Sequence, residues 1–225
     1  MVPRILLDTA PVPDGDGMLK LYRRGGDWQI MLGGNELMSS RLSGSEEALA
    51  TLAIEAMPPG ARPRLLVGGL GMGFTLRAAL RHLGSQARVE VVELVPAVIE
   101  WAREPMAELF AGSLDDPRVA TTAGDVAAPI AAGRGGYDAI LLDVDNGPDG
   151  LTRAGNDRLY GPAGLAATRA ALRPGGVLAV WSATPDARFR KRLGSAGFAV
   201  REEEVRANGG RGGARHVIWI AVRGG

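Results

Sequence analysis

The residues that could do chemistry begin with Gly69, Gly71 and Gly73, which follow the apolar run Leu65-Leu66-Val67. Phe74-Thr75-Leu76-Arg77-Ala78-Ala79-Leu80 comes next with helical spacing. The pattern predicts a buried strand, a tight turn and a helix. Glycine lets backbone approach a ligand closely, and a helix N-terminus offers free N–H groups to an electronegative one. A tight turn with no ligand has the same pattern, so a second signal is required. Glu93 supplies it by closing Val89-Glu90-Val91-Val92, about 20 residues after the glycines, the spacing at which a carboxylate holds ribose hydroxyls. Leu94, next in the chain, belongs to the same expected nucleoside contact. Asp143 ends the apolar run Ala139-Ile140-Leu141-Leu142. Burying a charge is costly, and parallel sheets bind ligands at the carboxyl ends of their strands. Asp143 is therefore a candidate catalytic carboxylate; its alternative role is to accept N–H groups of the loop behind it. Asp145, Asn146 and Asp149 follow at once, Asp145 as a second catalytic carboxylate and Asn146 as a substrate ligand. Asn146-Gly147-Pro148-Asp149-Gly150 is also ordinary turn chemistry. Arg153, Asn156, Asp157 and Tyr160 are candidates for an acceptor wall. Glu46 and Glu47 are placed to close the pocket from the N-terminal side, or to stabilise a helix dipole.

These residues need elements to position them. Residues 1–17 are rich in Pro, Gly and Asp and read as loop. Residues 18–22 and 27–32 alternate with period two around Gly25-Gly26, a hairpin signal, and 36–38 add a short strand. A helix over 45–56 opens with Ser45 as N-cap and ends at Pro58-Pro59-Gly60. Strands then alternate with helices: strands at 64–67, 88–93, 118–121, 137–143 and 177–181, with helices at 73–83, from Pro96, 126–132, 162–173 and 185–194. Strands 198–206 and 215–222 are separated only by a glycine-rich loop, too short for a crossover helix, so they pair antiparallel. The expected fold is α/β: a seven-stranded, mostly parallel sheet with helices on both faces and a C-terminal antiparallel hairpin, plus a short N-terminal β-hairpin. This is the Rossmann-like layout of class I S-adenosylmethionine-dependent transferases. A dinucleotide domain more often continues with a sixth parallel strand. The expected division is an appendage over 1–60 and a transferase domain over 61–225.

Composition narrows the classes. With 26 basic and 25 acidic residues the net charge is +1, so no bulk field draws nucleic acid. There is no cysteine and there are two distant histidines, so neither thiolate chemistry nor a histidine-rich metal cluster is expected. No apolar run has transmembrane length, and Met1-Val2-Pro3-Arg4-Ile5 lacks a leader pattern, so a cytoplasmic location without membrane contact is expected. Trp28, Trp101 and Trp181 read as packing residues.

In order and spacing, residues 30–223 resemble the spermidine synthase (polyamine aminopropyltransferase) family, closest to its small bacterial spermidine-synthase-like branch. The matching pieces include Val67-Gly68-Gly69-Leu70-Gly71-Met72-Gly73, Val92-Glu93-Leu94-Val95-Pro96, Asp116-Pro117-Arg118-Val119 and Gly124-Asp125. Tyr137-Asp138-Ala139-Ile140-Leu141-Leu142-Asp143 and Leu172-Arg173-Pro174-Gly175-Gly176 complete them. The resemblance implies that Gly69, Gly71 and Gly73 pass under a nucleoside and Glu93 holds its ribose. It implies that Asp125 accepts from the adenine amino group, with Val126 beside the ring. Asp143 would orient an acceptor amine and take its proton. The resemblance suggests a homodimer too; the acidic residues near the pocket point to a small, cationic amine acceptor, and no metal is expected. The chain departs from the family's Gly-Gly-Gly-Asp-Gly-Gly loop, since Gly71 stands where that loop has Asp. Such an Asp would repel the carboxylate of intact S-adenosylmethionine by about 1–4 kcal/mol at contact. Its loss leads us to expect S-adenosylmethionine as donor and methyl transfer as the reaction. Aminopropyl transfer from the decarboxylated donor, and a silent nucleoside-binding scaffold, are the alternatives.

Overall fold

The computed structural model describes residues 2–13, 15, 17–144, 159–209 and 213–225. Strand β5 (Arg64–Gly68) opens the strand–helix alternation and lies inside a seven-stranded sheet. Strands β6 (Arg88–Glu93) and β7 (Val119–Ala123) extend the sheet on one side. On the other side lie β8 (Tyr137–Leu142), β9 (Leu172–Ser182), β11 (Arg215–Arg223) and β10 (Phe198–Arg206). Strands β5 to β9 pair in parallel, while β11 pairs antiparallel with both β9 and β10. The helices are α2 (Phe74–His82), α3 (Pro96–Arg103), α4 (Ala107–Phe110), α5 (Ala127–Ala132), α6 (Pro162–Ala171) and α7 (Ala187–Ser195). The expected α/β class and terminal hairpin are what the chain forms.

Successive strand residues point to opposite faces, so a buried parallel strand must be apolar on both. Leu65 and Val67 of β5 join one core with Ala139 and Leu141 of β8, while Leu66 joins a second with Ile140 and Leu142. The first core carries Leu76 of α2 and Val98 of α3; the second carries Ile130 of α5, Leu165 of α6 and Phe189 of α7.

The N-terminal region forms its own antiparallel sheet, in the order β1 (Ile5–Pro11), β2 (Met18–Arg24), β3 (Asp27–Leu32) and β4 (Asn35–Ser39). The hairpin over 18–32 is at its centre. Strand β1 corrects the expected loop over residues 1–17. Its first five residues are all exposed, so no alternation marks it in the sequence; the open edge of β2 recruits it by backbone pairing. Leu21 and Ile30 of this sheet share the first core with Val67, so the two sheets bury a common apolar layer. Helix α1 (Gly44–Ala56) connects them and packs Leu49, Ala50 and Ala53 inward. Ser43, not Ser45, holds the N-cap position; Ser45 is buried in the first turn. Among the described residues no helix is long and apolar enough to cross a membrane.

Candidate active site

Backbone hydrogen bonds tie together the carboxyl ends of the central strands. Gly69 N–H donates to the Val92 carbonyl (2.9 Å), Gly124 to Glu93 (2.8 Å) and Asp143 to Gly68 (2.9 Å). Strands β5 and β8 are neighbours on either side of the point where strand order reverses, the position at which open α/β sheets bind ligands. The turn after β5 needs glycine for space as well as conformation. At Gly69 (φ +90°) a Cβ would collide with the carbonyl oxygen of Asp143. At Gly71 (φ +49°) it would lie 2.7 Å from the Met38 sulfur.

A cavity of about 150 Å³ lies between this edge and the smaller sheet. Gly69, Gly71, Glu93, Leu94, Asp125, Val126, Asp143 and Glu46 all line it, so most of the expected site residues converge on one space. Met38 and Ser39 of β4 close it from the N-terminal side. The lining is apolar apart from its carboxylates, Ser39 and exposed backbone. Among the described residues it contains four carboxylates and no Lys, Arg or His.

Each carboxylate is held differently. Glu93 is buried, and its Oε2 accepts from Leu70 N–H at 2.8 Å, with Gly71 N–H at 3.5 Å. Its Oε1 accepts from Val95 N–H at 2.9 Å. One side chain thus fixes the glycine turn and the approach to α3. Burial pushes its pKa up against the pull of these bonds. Asp143 Oδ2 accepts from the Thr75 hydroxyl at 2.7 Å. Burial drives its pKa up to about 7, Glu46 and Glu93 add repulsion, and the Thr75 bond opposes them. Burial raises Glu46 as well, ahead of repulsion from Glu47. Asp125 is exposed at the rim, where its Oδ1 accepts from Ala127 N–H at 2.9 Å. Val126 holds the N-cap position of α5, so this bond is a local turn contact made beside the cavity.

Three expected residues lie elsewhere. Gly73 faces the ring of Phe110 rather than the cavity, at the start of α2. Glu47 points along α2 to an ion pair with Arg81 at 2.9 Å, because its neighbour Glu46 takes the inward direction. Tyr160, expected on the acceptor wall, is 2% exposed in the second core, edge-on to Phe189 at 5.4 Å. Its large ring fills space against α7. Asp145, Asn146, Asp149, Arg153, Asn156 and Asp157 lie outside the described residues.

The sequence reading also missed contributors. Trp181, read there as packing, lines the cavity at the end of β9. Thr75 was legible only as a helical residue, although its place one turn behind the glycines aims it at strand ends. Ser45 and His216 meet at 2.9 Å across 171 residues, a contact no local pattern announces.

A glycine turn after a central strand, an acidic residue closing the next one and a terminal antiparallel hairpin define the class I S-adenosylmethionine-type α/β fold. The chain belongs to the spermine/spermidine synthase family, whose domain model matches residues 43–187. The polyamine aminopropyltransferase of Mycobacterium tuberculosis is 36% identical over 192 residues, covering 81% of this chain and 35% of that protein. Putrescine N-methyltransferase 1 of Nicotiana tabacum is 36% identical over 121 residues, covering 53% of this chain and 30% of that protein. The chain therefore spans about a third of the length of these curated relatives. The structure of spermidine synthase from Thermotoga maritima superposes with a TM-score of 0.77 at 18% identity, over 97% of this chain and 72% of that one. Spermidine synthase in complex with the transition-state analogue AdoDATO gives 0.76 at 19% identity, again over 97% and 72%. At such identity these two likenesses show the fold.

Proposed function

We propose that this chain transfers an aminopropyl group from decarboxylated S-adenosylmethionine to a small amine. One observation carries the reading: four carboxylates and no cationic side chain among the described residues lining the cavity. Two cations, a sulfonium and an ammonium, suit such a space. The carboxylate of intact S-adenosylmethionine would meet repulsion of about 1–4 kcal/mol from each carboxylate at contact. The methyl-transfer expectation followed from Gly71 alone. Glu46 and Asp143 place carboxyl groups in the cavity where this one position has none, and a bound cation favours their charged form. The aminopropyltransferase relative also matches more of the chain than the methyltransferase does.

In this reading the glycine turn at Gly69 and Gly71 passes under the nucleoside, and Glu93, already holding that turn, accepts from a ribose hydroxyl. A carboxylate has about four acceptor directions, and three take backbone N–H groups, so one is left for the ribose. Asp125 and Val126 flank the adenine, with Leu94 on its other side. The acceptor nitrogen attacks the carbon beside sulfur, the C–S bond pair goes to sulfur, and a neutral thioether leaves. The new ammonium gives its proton to Asp143. A pKa near 7 suits a base that must take up and release a proton near neutrality.

Calorimetry with decarboxylated S-adenosylmethionine, the intact molecule and methylthioadenosine tests the proposal. We expect the decarboxylated donor to bind most tightly, and mass spectrometry of the products to show the acceptor heavier by an aminopropyl group. Tighter binding of the intact molecule, with a methylated product, would refute it. The match to putrescine N-methyltransferase makes that outcome the second reading.

A further inference from the structure

We infer that His216, on the terminal hairpin, is a positioning residue that orients Glu46 towards a bound cation through the Ser45 hydroxyl. The inference rests on the proposed binding of a cationic nucleoside. His216 Nδ1 lies 2.9 Å from Ser45 Oγ, and Ser45 Oγ donates to Glu46 Oε2 at 2.7 Å. A serine hydroxyl has one proton. It goes to the carboxylate, so the oxygen must accept from His216, and Nδ1 must carry a hydrogen. Ser45 is fully buried, so water is not at hand to replace the imidazole. The His216 ring is itself held edge-on to Trp181, with centroids 4.7 Å apart. Burial favours its neutral form.

Glu46 needs such a brace. It shares the cavity with Asp143, and Glu47 adjoins it in the chain; both are acidic and both oppose its charge. A carboxylate free to rotate would turn away from Asp143. Bound to Ser45, it stays on the cavity, where together with Asp143 it forms a two-carboxylate clamp for an ammonium group. The clamp is assembled from three distant parts of the chain: the first turn of α1, the end of β8 and β11.

The test compares Ser45→Ala, His216→Phe and the double variant by calorimetry. The Phe ring keeps the contact with Trp181 but has no donor. The probes are decarboxylated S-adenosylmethionine, which carries an ammonium, and methylthioadenosine, which carries no charge. Each single variant is expected to weaken the cationic probe about tenfold and leave the neutral one unchanged, the double being no worse than either. His216→Asn, whose amide N–H sits near the Nδ1 position, is expected to restore affinity to within about threefold of wild type. Equal loss for both probes, or no loss for either, overturns the inference. If wild type binds neither probe, the functional proposal falls by itself, and nitrogen-15 NMR of the ligand-free protein decides the brace. An Nδ1–H tautomer that disappears in Ser45→Ala upholds it; an Nε2–H tautomer in wild type overturns it.

Discussion

Replacing Asp143 by Asn is expected to stabilise the ligand-free protein while abolishing turnover. The side chain follows a strand whose last residues are fully buried, and it accepts from the Thr75 hydroxyl. Its pKa rises from 3.8 to about 7, burial first and Glu46 second. Between these values the folded chain holds a proton that the unfolded chain has released, so stability falls as pH rises through the interval. At about 1.4 kcal/mol per unit, the full effect above neutrality is at most roughly 4 kcal/mol. Partial access from the cavity and adjustment to an amide reduce the expected gain to ~2 kcal/mol near pH 8. For a chain of this size that corresponds to a thermal midpoint higher by about 4–8 °C. Near pH 5 the gain shrinks by more than half, because much of the interval has not yet been crossed. Denaturant melts of both proteins at the two pH values measure this difference directly. Equal stability at both would show that Asp143 ionises freely in the fold, and its proposed service as a base tuned to neutrality would lose its physical ground.

Three other outcomes are expected. Glu93→Gln must set an amide N–H against a backbone N–H on one side, because one oxygen cannot serve both Leu70 and Val95; a loss of about 2 kcal/mol in a denaturant melt is expected. Gly71→Asp restores the residue of the family loop but forces a side chain into φ +49° beside the Met38 sulfur; it is expected to lose about 1–2 kcal/mol, and less in a Met38→Ala background, as a double-mutant cycle would measure. Arg118 grips Asp116 with two nitrogens and a backbone N–H, holding its pKa down to about 2. Asp116→Asn is therefore expected to cost ~1 kcal/mol at neutral pH, a difference that fades as acid takes the native carboxyl through its own titration.

The strand–helix alternation, the glycine turn and the acidic residue at position 93 were legible because each is local. An apolar run of five or six residues, a cluster of glycines and a carboxylate at a strand end state their own conformations. Residues 5–11 were not legible as a strand, since they alternate with nothing and form one only by pairing with β2. Tyr160 looked available because it follows a polar stretch; it is buried because α7 brings Phe189 against its ring. Trp181 reads like any aromatic at a strand end until β4 and the glycine turn leave a cavity in front of it.

The sequence by itself determined the fold class, for period and turn chemistry act over a few residues. It also determined that Gly69, Glu93, Asp125 and Asp143 would share one edge of the sheet, because each terminates or follows a parallel strand. Only the tertiary structure decided the charge of the cavity. Whether Glu46 or Glu47 turns inward depends on which face of α1 packs against the sheet. Whether Glu46 is held there depends on a histidine 171 positions from its serine partner. Electrostatic fields sum over distances in space, and spacing along a chain does not encode them.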